Sequence, residues 1–134
     1  MFYLDSTIIN RIARSRLSCP GQMICLDLND YRMFVADCEA ICAVRVKSGG
    51  QFQDFLSELR AELHNAQSAI DEPKGVMIHL LVHPETDVTM ETYQARNKLV
   101  CEIFGESANY KVGYASDGAL PMGGKDIMVF ISGD

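Results

Sequence analysis

Tryptophan is missing from this chain of 134 residues, and 12 lysines and arginines face 18 aspartates and glutamates. With a net charge of −6 and no run of basic residues, the chain offers no stripe for a phosphate backbone, so nucleic acid is excluded as the expected partner. No Cys-x-x-Cys pair occurs, and the five cysteines are an odd number, which argues against a redox dithiol or a closed disulfide framework. Cys19, Cys25, Cys38, Cys42 and Cys101 read as reduced thiols that fill a core in a cytoplasmic protein. No apolar run approaches membrane-spanning length, and Met1-Phe2-Tyr3-Leu4-Asp5 lacks the layout of a secretion signal. Gly123-Gly124-Lys125 opens no helix; it lies between two expected strands and reads as a hairpin turn rather than a phosphate loop.

What is present is apolar pattern. Hydrophobic residues make up 48% of the chain, enough for one ordinary core in a single globular unit. Residues 4–16 carry Leu4, Ile8, Ile9, Ile12 and Ala13 at helical spacing, with Asp5 or Ser6 as cap and Arg11, Arg14 and Arg16 toward the C-terminal end. A short helix is expected from Asp27 to about Val35, with Tyr31, Phe34 and Val35 inward. Residues 38–47 alternate, Ala40, Cys42, Val44 and Val46 against Glu39, Arg45 and Lys47, as a half-buried strand does. Phe52, Phe55, Leu56, Leu59, Leu63, Ala66 and Ile70 form one stripe of a long helix.

Residues 76–82 are nearly all apolar, as in a central strand. A second long helix follows, capped by Thr89 and ended by Gly105, and then two strands are expected to close the fold as a hairpin. Helices between the early strands imply crossovers, so the fold class is an α/β (α+β) two-layer sandwich. It has a mixed four-stranded sheet, two long helices on one face and an additional N-terminal helix.

Candidate chemistry concentrates in one stretch, residues 20–32. A Pro-Gly turn and a short apolar run precede Asp27 and Asp30, two carboxylates three positions apart. On physical grounds Asp27 can cap the short helix while Asp30 sits in its first turn, where the helix dipole favours negative charge. The order Ile24-Cys25-Leu26-Asp27-Leu28-Asn29-Asp30-Tyr31-Arg32 also resembles the synergy loop of the tubulin-like GTPase FtsZ, which reads Ile-Asn-Val-Asp-Phe-Ala-Asp-Val-Arg in type. Cys25 stands where that family has Asn.

Gly75-Val76-Met77-Ile78-His79, Asp87-Val88-Thr89-Met90-Glu91 and the closing Ile127-Met128-Val129-Phe130-Ile131-Ser132-Gly133 resemble further pieces of the FtsZ C-terminal domain in the same order. The resemblance divides the chain into a helix and connector, 1–23, and an FtsZ C-terminal-like domain, 24–134.

The resemblance implies that Asp27 and Asp30 enter the nucleotide site of a neighbouring subunit and help activate the attacking water. Cys25, Asp27, Asn29, Asp30 and Arg32 would then form the interaction surface. The GTP-binding half of that family would lie before Met1, and nothing here replaces it, so no catalysis is expected from the chain alone. At most it completes a GTPase site in trans. The expected partner is FtsZ or another tubulin-like GTPase, whose filaments the chain would cap or modulate, with no cofactor, metal or membrane.

The alternative is a homo-oligomer that holds a small anionic ligand or catalyses between subunits, using Lys111, Arg45, Lys47 and the histidines. Simple self-association as a scaffold is a third reading. His79 and His83 share one face of a strand about 13 Å apart, too far for one metal ion, and read with His64 as surface or edge residues. Asp5, Asp37 and Asp117 have no neighbour in the sequence that would tune them as catalytic carboxylates.

Overall fold

The computed structural model describes residues 1–17, 21–24, 30–31, 34, 40–48, 52–85 and 90–133. The elements run β1 (Phe2–Tyr3), α1 (Ser6–Leu17), β2 (Gly21–Ile24), β3 (Ala40–Ser48), α2 (Phe52–Gln67), β4 (Pro73–Val82), α3 (Met90–Phe104), β5 (Asn109–Ser116) and β6 (Lys125–Gly133). Asp30, Tyr31 and Phe34 are also helical.

The long strands β3, β6, β4 and β5 make the expected mixed four-stranded sheet, and short β1 and β2 extend its two edges in the order β1-β3-β6-β4-β5-β2. Among the described strands only β4 and β5 pair in parallel, which their α3 crossover permits. The chain passes from β3 through α2 to β4, and β6 is inserted between those two strands, antiparallel to both.

This insertion corrects the expected closing hairpin: β5 and β6 are not neighbours, because β4 lies between them. The physical reason is the demand of β4, where every residue from Val76 to Val82 is buried, so the strand needs cover on both edges as well as both faces. The connection 117–124 steps over the end of β4 and is tied to it, Asp117 N–H donating to Val82 O (2.7 Å) and His83 N–H to Gly124 O (3.0 Å). Gly123, at φ +77, provides the turn into β6.

The main core lies between one sheet face and the two long helices. Phe55, Leu59, Leu63 and Ala66 of α2, with Leu99, Val100, Ile103 and Phe104 of α3, pack on Cys42, Val44, Val46, Ile78, Leu80, Ile127 and Val129. Gly105 ends α3 at φ +84, and its N–H reaches back to Cys101 O at 2.8 Å.

The N-terminal helix covers the other face. The Asp5 carboxylate accepts from Ile8 N–H (2.8 Å), so Asp5 is the cap of α1. Ile9 and Ala13 press with Tyr31 onto Ala43, Met77, Met128 and Phe130 in a second, smaller core. The odd residues of β3 and β4 and the even residues of β6 face this layer, which decides the environment of His79, Arg45 and Asp126.

Candidate functional site

The stretch with the two aspartates lies, in sequence, between two segments that the sheet and the second core hold in place. On one side β2 pairs with the sheet edge, Gly21 opposite Ser116 and Ile24 opposite Tyr114, with an irregularity after Gln22. On the other side Tyr31 is fully buried, its ring edge-on to Phe130 at 5.3 Å, and Phe34 meets the same ring at 6.2 Å. Cys25, Asp27 and Asn29 fall between these anchors and, like Arg32, lie outside the described residues; so do Val35, Asp37, Thr89, Cys19 and Cys38.

Asp30 is described. Its Oδ1 accepts a hydrogen bond from Lys111 Nζ on β5 at 2.6 Å, and only 20% of its side chain is exposed. The two line a cleft of about 230 Å³ with Phe34, Lys74, Gly75 and Asn109, at the end of the sheet where β4 and β5 begin. Gly75 leaves room there: a Cβ would lie 2.8 Å from Ser132 Oγ, which would have to turn away, and 3.4 Å from the Phe34 ring.

Behind Tyr31 lies a buried polar network. The Tyr31 hydroxyl is 2.6 Å from His79 Nδ1. Arg16, at the end of α1, donates to the His79 carbonyl (2.6 Å), the Asp126 carbonyl (2.9 Å) and Asp126 Oδ1 (3.1 Å). Arg45 completes the set with a two-pronged bond to the Asp126 carboxylate at 3.1 and 2.7 Å.

Burial alone would raise the Asp126 carboxyl, yet the two guanidiniums bonded to it hold it below the usual range. Burial pushes His79 down to about 3, and the Arg16 charge adds to that, so its ring is neutral. Burial raises the Tyr31 hydroxyl, which keeps its proton.

His79 therefore departs from the expectation of a surface or edge histidine: it is fully buried in a central strand, because α1 and Tyr31 cover the second face. His83 lies just beyond β4, its Nδ1 accepting from Glu85 N–H at 3.1 Å, and His64 is exposed on α2. Asp117 also has a partner, capping the Ala119 N–H at 2.9 Å.

Lys111, Arg45 and Lys47 do not converge as one anionic-ligand site. Arg45 and Lys47 are on β3 and Lys111 on β5, three strand spacings or about 14 Å across the sheet. Cys42 is buried with its thiol pushed up to about 11 by burial, and Cys101 is half-buried. Among the described residues no three His, Cys, Asp or Glu side chains gather as metal ligands would, and no helix is long and apolar enough to cross a membrane.

The fold now has counterparts. An empty FtsZ dimer of M. jannaschii superposes with a TM-score of 0.68 at 18% identity, covering 94% of this chain and 36% of that one. The fold is FtsZ-like. A point mutant of FtsZ from the same organism gives a TM-score of 0.64 at 16% identity, covering 95% of this chain and 38% of that one. The chain thus spans little more than a third of the FtsZ chains it matches, in keeping with a C-terminal-domain-like unit. No protein-family model matches the chain, and no curated protein matches it by sequence.

The network of Arg16, Asp126, Arg45 and His79 was not read from the sequence. One signal for it was present: Asp126 is the second residue of β6 and is followed by five apolar residues, Ile127 to Ile131, and a carboxylate buried with such a strand needs a cation beside it.

Proposed function

We propose that this FtsZ-like domain binds the nucleotide face of an FtsZ or other tubulin-like GTPase subunit and caps or modulates its filaments. The FtsZ-like fold over almost the whole chain carries this reading. The motif order around Asp27 and Asp30 supports it, because in FtsZ those positions belong to a loop that meets the neighbouring subunit.

The mechanism is steric and electrostatic. Residues 24–32 dock at a filament end with an exposed nucleotide, with Cys25, Asp27, Asn29, Asp30 and Arg32 making the contact. These 134 residues contain no phosphate loop, so a unit made of them offers the next subunit no nucleotide to join. Addition stops there. The chain is then a regulator rather than an enzyme, acting on hydrolysis only in trans.

The test is a double substitution, Asp27→Ala with Asp30→Ala, in the 134-residue chain. Loss of its effect on FtsZ polymer mass with the fold intact supports docking through the loop. An undiminished effect removes the loop from the mechanism.

A further inference from the structure

Three arginines of this fold spend their donors differently. Arg16 gives Nη1 and Nη2 to three acceptors around Asp126 and His79. Arg45 turns its side edge, Nε and Nη2, onto the two oxygens of the Asp126 carboxylate at 3.1 and 2.7 Å. Arg96, in the second turn of α3, carries the same edge without an acceptor. Its Nε and Nη2 are both buried, and neither has a hydrogen-bond partner among the described residues.

The whole residue is only 2% exposed. Its guanidinium carbon stands 5.3 Å from the centre of the Tyr93 ring, which meets Tyr114 of β5 edge-on at 6.2 Å. The ring attracts the charge but supplies no oxygen for the two donors. Burial lowers Arg96 to about 10, so the group is still a cation at neutral pH. A buried cation with two unspent donors is costly until an anion joins it. Carboxylate and phosphate each present two oxygens at the spacing of that fork, as Asp126 does to Arg45.

This place is separate from the docking cleft. Tyr114 packs against the main core, whereas Lys111, three positions earlier on β5, lines the cleft and points to the opposite sheet face.

We propose that Arg96 binds a small oxyanion, a phosphate or carboxylate group, side-on through Nε and Nη2, with Tyr93 and Tyr114 as the aromatic wall of the site. Entry is by a turn of the Tyr93 ring, which is only half-buried. The site does not depend on the docking reading.

The experiment uses the full 134-residue chain, with inorganic phosphate and acetate as probes, each against chloride at matched ionic strength. Wild type, Arg96→Lys and Arg96→Met are compared by thermal unfolding, and the Arg96 Nε–H signal of the wild type is followed by proton–nitrogen NMR. At about ten times its Kd, the anion should raise the wild-type Tm by about 3 °C more than that of Arg96→Met, a difference in which general salt effects cancel. Arg96→Lys keeps a charge but loses the fork, and should bind about tenfold more weakly. The Nε–H signal should shift on binding and exchange more slowly with water. A response to phosphate, or to acetate, identifies the group the site takes.

Equal Tm rises in wild type and Arg96→Met overturn the site. So does an Nε–H signal indifferent to both anions, which would leave Arg96 to water and the Tyr93 ring. Where Arg96→Met does not fold, the wild-type Nε–H signal and the Arg96→Lys affinity decide by the same criteria.

Discussion

The Tyr31 hydroxyl and His79 Nδ1 lie 2.6 Å apart, joining the segment that follows the loop to the middle of the sheet. Both groups are neutral, since burial raises the first and lowers the second. With the ring proton on Nε2, the tautomer adopted for this pair, the Tyr31 O–H donates to Nδ1. Removing the donor strands a buried acceptor. Tyr31→Phe is expected to keep the fold but lose about 1–3 kcal/mol, read as a lower urea midpoint with an unchanged slope.

The same histidine sets an acid limit. Its folded pKa of about 3 lies below the ordinary 6.5, so the unfolded chain binds the extra proton between those values. Stability is complete above about pH 6.5 and falls as the pH drops toward 3, by up to about 1.4 kcal/mol per pH unit from this group. Asp126, held below its usual value, adds its own loss at the acid end of that window. Unfolding measured from pH 7 to 4 should show this slope, and His79→Asn should flatten it.

Arg16 and Arg45 grip the same carboxylate from different environments. Arg16 is buried, whereas the Arg45 side chain is 46% exposed. Arg16→Met removes bonds to two carbonyls and leaves Asp126 half-partnered in the interior, a loss of about 3 kcal/mol or more. Arg45→Met should cost about 1 kcal/mol, because water can replace an exposed partner. Equal losses in thermal unfolding would contradict this ranking.

Two glycines should behave oppositely when changed to alanine. At Gly133 the new methyl would lie 2.1 Å from the Glu72 carbonyl oxygen and 2.8 Å from Ile70 Cγ2, so backbone must move. At Gly118 nothing lies within 4 Å. Gly133→Ala is expected to destabilise by about 1–3 kcal/mol and Gly118→Ala to stay within about 0.5 kcal/mol, by denaturant titration.

The sequence shows where its pattern was one-dimensional and where tertiary packing intervened. The α2 stripe from Phe55 to Ala66, the continuous burial of β4 and the caps at Asp5 and Gly105 are local consequences of period and residue type, and they were legible. The place of β6 between β3 and β4 was not, because pairing order depends on which edge of β4 is left open. Nor was the burial of His79. A strand shows which residues share a face, but whether α1 covers that face depends on contacts between residues far apart in the chain.

Of the five residues expected to form the interaction surface, Asp30 alone falls among the described residues. Asp30 was singled out from its spacing to Asp27, yet its bond to Lys111 joins residues 81 positions apart. Arg16 was read as a helix-end charge, whereas the fold turns it into the centre of a buried network.

The central claim is that this FtsZ-like domain acts on a tubulin-like GTPase through the loop. Its most direct test is polymer sedimentation and GTP turnover of FtsZ titrated with the chain. The account predicts a fall in polymer at substoichiometric amounts that Asp27→Ala abolishes. No change at equimolar protein would contradict it, leaving a shared fold without the shared interface.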